Sequence, residues 1–227
     1  MSKSLVRRGI ESALRKGFTR TYETVKVDPD NFLIQLRTAY GLPIRTYDGV
    51  FTVPHEQLDN VALDIIRAGQ KMAAVEGAGL GLGGLLTIVP DLGILAGITI
   101  RTIQKLSLLY GFQFNTDNEQ SELWVAAASA AGVDIGRELV ERQVVRRFVP
   151  RVINAIAAQA GKEIAEKIAG RIVPVLSSAV GATLNYYFLG AWGDRAMLHF
   201  RARHLAMRDQ ATKTIEAVPP SALPPGP

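Results

Sequence analysis

The sequence predicts an all-α fold, a compact multi-helix bundle around a glycine-rich apolar helical hairpin that spans about residues 72–112. Apolar residues recur at helical spacing along most of the chain, which is the primary sign of amphipathic helices. In addition, glycine and proline interrupt a long, nearly uncharged stretch, as expected for two helices joined by a turn. Because 48% of the 227 residues are hydrophobic and 21% are charged, the chain can bury a sizeable core.

The net charge and the absence of cysteine indicate which kinds of partner and which cellular compartment to expect. The formal net charge of +5 favours anionic partners. Basic residues are not interleaved with aromatic ones, and no zinc-finger or RNA-binding pattern occurs. We therefore expect no nucleic acid and favour an anionic membrane surface. The chain has no cysteine, which excludes disulfides, thiolate catalysis and zinc–thiolate sites and fits a reducing compartment.

The amino terminus predicts a basic amphipathic helix over about residues 4–18. It lacks the apolar core and the cleavage site of a secretory signal. Two interpretations of its apolar stripe stay open: the stripe docks on the protein core, or it lies on an anionic membrane surface. The stripe consists of Leu5, Val6, Ile10, Ala13, Leu14 and Phe18, with arginines and lysines between them.

The next segment predicts a helix, a small β-hairpin and a second helix. Asp28-Pro29-Asp30 marks a turn that starts a short helix over 31–40. Asp48-Gly49, between β-branched and aromatic residues, predicts a β-hairpin over about 44–53, the only β structure that we expect. Pro54 suits the first position of a helix that continues to about residue 71.

The apolar hairpin carries only two charges, Glu76 and Asp91, between residues 73 and 100. We expect it to break at the Gly83-Gly84 pair and at Pro90, with the second helix ending at Tyr110-Gly111. Overlapping G-x-x-x-G pairs predict that another helix approaches to backbone distance. The glycines expected to serve this packing are Gly77, Gly79, Gly81, Gly83, Gly84 and Gly181.

The second half of the chain predicts a polar loop over 115–121, followed by helices. We expect these helices over 122–131, 134–148 and 151–169, and a basic final helix that ends near Glu216. Residues 172–193 form a second apolar stretch, which is either a core helix or shallow insertion, or a transmembrane helix. Residues 1–216 are expected to form one domain, followed by a disordered proline-rich tail over 217–227.

No catalytic site, cofactor or metal is predicted. Residues 79–84 match G-x-G-x-x-G, but a helical pattern precedes them and no acidic residue follows at the required distance. His55-Glu56 begins like a zinc-protease helix, but Asp59 stands where the second histidine should. His199 and His204 point away from each other on a helix. We therefore lean against an enzyme.

Five polar residues within the apolar blocks are the candidate functional residues. An unpaired carboxylate is costly in such surroundings. Asp91, expected in the first turn of its helix, can stabilise the helix dipole; alternatively it is a buried carboxylate that pairs with Arg101 or Arg171, or binds a cation or a lipid headgroup. A hydrolase-like enzyme using Glu76 and Asp91 is a further alternative. The five residues are Glu76, Asp91, Arg101, Gln104 and Asn185.

Two blocks of the sequence, taken in their order along the chain, resemble those of a known protein family. The first contains Glu76-Gly77 with the glycine-rich run, Pro90-Asp91, the stretch 101–104 and the stretch 109–112; the second spans 172–187. Together they resemble the EcsC family of bacterial proteins over about residues 58–205. The resemblance implies a bacterial setting and a link to an ABC transporter or to protein secretion, because the family's namesake is encoded beside such a transporter. Some members carry a protease label, for which this sequence offers no nucleophile, metal pair or carboxylate dyad.

We expect a non-enzymatic, membrane-associated helical protein that acts as an accessory or regulator of a membrane complex. Its expected location is the cytoplasm, peripheral at the inner face of the bacterial membrane, with integral insertion as a less favoured option. The alternative is a soluble helical domain whose glycine-rich hairpin lines a cavity for a lipid or another apolar ligand.

Overall fold

A computed structural model describes residues 3–24, 26–80, 85–135, 145–169 and 178–216, and these form seven α-helices. A short 3-10 helix, Asp48–Thr52, lies between the second and third of them, and the described residues contain no β-strand. The predicted all-α class is confirmed. The helices are α1 (Lys3–Thr24), α2 (Pro29–Thr38), α3 (His55–Leu80), α4 (Leu85–Leu109), α5 (Asp117–Ala130), α6 (Val145–Ala169) and α7 (Ser178–Glu216).

Helices α3 and α7 form the longest packed pair and run antiparallel. Asn185 of α7 donates a hydrogen bond to the Ala73 carbonyl of α3, and further along Arg201 pairs with Asp59. The end of α3 at Leu80 therefore lies beside the start of α7 at Ser178. We call this the hairpin end of the bundle, because α4 also begins there.

Helix α1 runs parallel to α4 and packs against it at backbone distance. A Cβ atom added to Gly17 would lie 2.7 Å from the Cα atom of Gly93, and Thr21 lies against Gly97 one turn further on. Two helices can approach this closely only where side chains are absent. Close glycine packing thus occurs at Gly17 and Gly93, which were not predicted, whereas the predicted packing glycines of residues 77–84 and Gly181 lie outside the described side chains. The hairpin prediction is thus not tested there.

The predicted β-hairpin over 44–53 is wrong. Ile44, Tyr47, Val50 and Val53 are buried, so burial recurs at every third residue, which is the period of a 3-10 helix and not of a strand. A type I′ hairpin turn at Asp48-Gly49 would require positive φ at both residues, and neither has it. The segment instead forms the short 3-10 helix, whose buried side chains pack into the core.

Prolines interrupt the helices less than the sequence suggested. Helix α4 begins at Leu85 and passes through Pro90, so Asp91 is not in its first turn as predicted. A proline inside a helix removes one backbone hydrogen bond, and α4 nevertheless continues through it. Likewise α6 begins at Val145 and contains Pro150, instead of starting at Arg151. The predicted end of α4 is confirmed, because Gly111 adopts φ of 90° directly after it.

The predicted loop over 115–121 becomes the start of α5. Thr116 caps the helix, its hydroxyl accepting a hydrogen bond from the Glu119 N–H, while the Glu119 carboxylate accepts one from the Thr116 N–H. This reciprocal capping box satisfies two backbone donors that a helix end otherwise leaves unpaired. The sequence Thr-x-x-Glu at residues 116–119 is the pattern typical of this capping box.

One described stretch, Leu92–Leu109 in α4, is long and apolar enough to cross a membrane, and 72% of it is buried inside the bundle. This burial is what a core helix shows. In α7, the part of the second apolar stretch that the structure describes has one buried face, including Phe188 and Leu189, and one exposed face, including Tyr186 and Tyr187.

Candidate functional site

The predicted polar residues do not form one site. Glu76 and Arg101 are exposed, so neither is the buried charge that the sequence suggested. The side chains of Asp91 and Arg171 lie outside the described part of the chain. A catalytic group built on Glu76, Asp91 and Asn185 therefore loses its first member, because Glu76 faces solvent while Asn185 is buried.

Gln104 and Asn185 are buried and hold chain segments together. The Gln104 side-chain oxygen accepts a hydrogen bond of 3.0 Å from the Val27 N–H, which fixes the connection between α1 and α2 onto α4. The Asn185 amide donates to the Ala73 carbonyl at 3.3 Å and so joins α7 to α3. Both amides satisfy polar groups that burial would otherwise leave unpaired.

A polar network that the sequence did not reveal joins α3, α4 and α7. The Tyr110 hydroxyl donates a 2.7 Å hydrogen bond to the Asp59 carboxylate, whose second oxygen accepts from Arg201 at 2.8 Å. Burial and the negative charge of Asp59 raise the pKa of Tyr110. Asp59, which stood at the position of a missing zinc ligand, is thus engaged in holding three helices together.

His204 lies beside this network and is fully buried. Its ring stacks on Phe51 at 4.7 Å, and Nδ1 lies 3.0 Å from the Tyr110 carbonyl. A carbonyl only accepts, so Nδ1 carries the proton, and Nε2 has no hydrogen-bond partner among the described residues. Burial lowers the pKa of His204, and Arg208 and His55 lower it further, while the Tyr110 carbonyl and Asp59 oppose them. The ring is held neutral.

Helix α1 has an apolar face on one side and a basic face on the opposite side. Ile10, Leu14 and Phe18 are buried against α4, α6 and α7, so this described part of the stripe docks on the core and is not available to a lipid surface. On the opposite face four cationic side chains are exposed and form no ion pair within the described chain. We call this set the α1 basic face: Arg8, Arg15, Lys16 and Arg20.

Four exposed apolar side chains lie toward the hairpin end of the bundle. Met72 and Val75 of α3 are 49% and 72% exposed, and Tyr186 and Tyr187 of α7 are 45% and 51% exposed. The Gln70 side chain donates to the Tyr186 carbonyl, which places Tyr186 at the level of the α3 turns that carry Met72 and Val75. Because α1 runs parallel to α4, its basic amino-terminal part lies toward the same end. Met72, Val75, Tyr186 and Tyr187 are called the hairpin-end patch.

Two cavities of different character lie in the described part of the chain. An apolar crevice between Leu14, Leu95, Ile164 and Trp192 holds about 10 Å³, about the room for one water molecule. A lipid chain does not fit there. A cleft of about 590 Å³ opens near the carboxy-terminal end of α4, bounded by α5 and α7, far from the hairpin end.

The sequence model of the EcsC protein family matches residues 6–205. The chain belongs to the EcsC family. The match begins well before residue 58, so it includes α1 and the 3-10 segment, which the recognised blocks did not cover. These elements are therefore part of what the family shares.

Two curated relatives of this EcsC-family chain come from Bacillus subtilis (strain 168). Protein EcsC is 26% identical over 150 residues, which cover 65% of this chain and 64% of the relative. The uncharacterized protein YdbA is 21% identical over 171 residues, which cover 70% of this chain and 62% of the relative. The chain thus spans less than two thirds of either relative. No solved structure matches it.

The residues that sequence reasoning missed in this EcsC-family protein are joined by long-range contacts. Arg201 and Asp59 are 142 residues apart along the chain, and nothing local marks them as a pair. The α1 basic face was visible as charge, but only the packing of its apolar side shows which surface stays available. Among the described residues no cluster of histidine and carboxylate side chains could hold a metal ion.

Proposed function

We propose that this EcsC-family protein is a non-enzymatic accessory or regulatory protein that sits peripherally on the inner face of the bacterial membrane. The observation that carries the proposal is the α1 basic face, four exposed cations without ion-pair partners on the solvent side of one helix. Such a surface attracts anionic headgroups, and each lysine or arginine near an anionic membrane contributes about 1 kcal/mol.

The mode of contact that we propose is electrostatic and not insertion of α1. Its apolar stripe is committed to the core, where Phe18 stacks on Trp192 of α7 with ring centroids 6.1 Å apart. Withdrawing the stripe would expose the core of the bundle. The helix can therefore offer lipid only its charged side, and the attraction should weaken as salt screens it.

The hairpin-end patch supports a second, shallower contact. Tyr186 and Tyr187 combine an apolar ring with a polar hydroxyl, which suits the boundary between headgroups and acyl chains. Exposed Met72 and Val75 of α3 add apolar area toward the same end of the bundle. We propose that the protein rests on the membrane with the α1 basic face and this patch both near the surface, and serves there a membrane complex such as an ABC transporter.

Vesicle cosedimentation tests this proposal. The full chain is mixed with vesicles of phosphatidylcholine alone or with 30% phosphatidylglycerol, at low and high salt. We expect binding to the anionic vesicles at low salt, loss of binding at high salt, and about a hundredfold weaker binding of the triple variant Arg15→Gln, Lys16→Gln, Arg20→Gln, from about 3 kcal/mol of lost attraction.

The matched control is the triple variant Lys26→Gln, Arg37→Gln, Arg45→Gln, which removes three other exposed cations that form no ion pair in the described chain. It should bind nearly as well as the parent protein. Equal losses in both variants would show a nonspecific charge effect, and no binding of the parent to anionic vesicles at low salt would refute the proposal.

A further inference from the structure

The cleft of about 590 Å³ combines an apolar floor with a polar wall. Phe112 and Phe200 form the floor and Met207 stands at the rim, 44% exposed. The size and this mixture are typical of small-molecule sites, in which a few polar groups orient a mainly apolar ligand. The proposed membrane contact makes no use of this cleft, which lies away from the hairpin end.

The charged side chains of the cleft wall differ in how completely neighbouring groups pair with them. Arg203 is held on both sides: its guanidinium lies 4.5 Å above the Phe112 ring, and it pairs with a Glu122 oxygen at 3.1 Å. Glu119 uses one oxygen to accept from the N–H groups of Asn115 and Thr116, and its other oxygen has no partner in the described chain. The positive charge of Arg203 is thus already paired, whereas one carboxylate oxygen of Glu119 can still accept a hydrogen bond.

A second and independent observation is the hydroxyl of Ser121. Ser121 lines the cleft and is only 5% exposed, yet its hydroxyl forms no hydrogen bond within the described residues. A nearly buried hydroxyl without an intramolecular partner requires a ligand or solvent as its partner. It follows Glu119 on α5, so both acceptors belong to one helix.

We propose that this cleft binds an organic cation, a primary amine or guanidinium group carried on an apolar body. The ammonium would donate to the open oxygen of Glu119, and the apolar body would pack on Phe200 and Met207. An anionic ligand would instead have to displace Glu122 from Arg203 and would meet the Glu119 carboxylate. A charge-assisted hydrogen bond to a carboxylate is the strongest polar contact that this wall can offer.

Three probes of similar size and different charge test the proposal on the full chain without lipid: 2-phenylethylamine, 2-phenylethanol and phenylacetate. Binding is followed by NMR of methionine methyl groups, because Met207 stands at the cleft and Met72 lies in the hairpin-end patch as an internal control. The amine should shift the Met207 methyl and leave Met72 unchanged. Its affinity should exceed that of phenylacetate at least tenfold, with the alcohol between them.

Two variants locate the contact. Glu119→Gln removes the charge but keeps an acceptor for the capping box, so the fold should persist. It should weaken amine binding about tenfold, about 1.4 kcal/mol, and leave the alcohol unaffected. Glu166→Gln, an exposed carboxylate on α6, should change neither. Preferential binding of phenylacetate, an unmoved Met207 methyl, or equal effects of the two variants would each overturn the proposal, whatever the outcome with vesicles.

Discussion

The contact between α1 and α4 makes Gly17→Ala a sharp test of the packing. The added Cβ would lie 2.7 Å from the Cα atom of Gly93 and 3.2 Å from its carbonyl oxygen. Carbon atoms prefer about 3.5–4.0 Å. The obstacle is backbone, which cannot turn aside as a side chain does, so the two helices must separate by close to an ångström.

Two opposing effects set the expected magnitude. Overpacking of this kind costs about 1–3 kcal/mol, whereas alanine in place of glycine favours the helix by about 1 kcal/mol. We expect a net loss of up to about 2 kcal/mol in the free energy of unfolding. For a chain of this size, each kcal/mol corresponds to about 2–4 °C in Tm.

The chain supplies two matched controls. Gly9→Ala is the same change in the same helix, and its Cβ would meet nothing within 4 Å, so it should gain about 0.4–1 kcal/mol. Gly93→Ala alters the other side of the same contact, but its Cβ would lie 4.0 Å from Gly17, an ordinary distance, and should be tolerated.

Urea unfolding followed by far-ultraviolet circular dichroism measures all three glycine variants. Because each exchanges glycine for alanine inside a helix, the difference between Gly17→Ala and Gly9→Ala isolates the steric cost, about 1–3 kcal/mol. The assigned contact is wrong if Gly17→Ala proves as stable as Gly9→Ala, or if Gly93→Ala is the more damaging of the two contact variants.

Three further predictions concern polar groups. Burial lowers the pKa of both His199 and His204, so near pH 6.5 the unfolded chain binds more protons than the folded one. Stability is therefore retained above about pH 7 and lost as the pH falls below about 6.5, and in His204→Phe the pH dependence of the urea midpoint should be shallower. Tyr110→Phe should cost about 2 kcal/mol because its hydroxyl donates to a carboxylate, whereas Tyr47→Phe, which loses a bond to the neutral Pro29 carbonyl, should cost about 1 kcal/mol; the reverse order in urea unfolding would contradict the assigned network. Thr116→Ala should lower the free energy of unfolding by about 1 kcal/mol because it removes the hydroxyl that caps α5, whereas Thr116→Ser keeps a hydroxyl and should leave the free energy nearly unchanged; urea unfolding measures both.

The fold class could be predicted because it depends on periodicity, which is local. Local sequence was enough to predict three features: the apolar stripe of α1, the end of α7 at Glu216 and the end of α4 at a glycine. The segment 44–53 failed for a physical reason: β-branched and aromatic residues favour both strands and buried short helices, and only the period of burial separates them. The sequence from Ile44 to Val53 also has an apolar residue at every third position, and the buried side chains follow this period.

The site could be predicted less well because it depends on distant partners. Asp59 acquires its role from Tyr110 and Arg201, which no local pattern connects to it. Glu76 stands among apolar neighbours in sequence, yet it falls on the outer side of α3, since a helix directs successive residues to different sides. The basic charge of α1 was evident from sequence, and its availability followed only from the packing of the opposite side.

The most direct test of membrane contact uses the absence of cysteine, which permits single-cysteine spin labels. One label replaces Thr19, exposed among the cations of the α1 basic face, and another replaces Thr38, exposed on α2, whose Phe32 lies beneath Lys105 in the carboxy-terminal half of α4. On anionic vesicles that contain a paramagnetic headgroup lipid, the Thr19 label should relax faster than the Thr38 label, and high salt should abolish the difference. Equal relaxation at low salt, or faster relaxation at Thr38, would contradict docking through the α1 basic face.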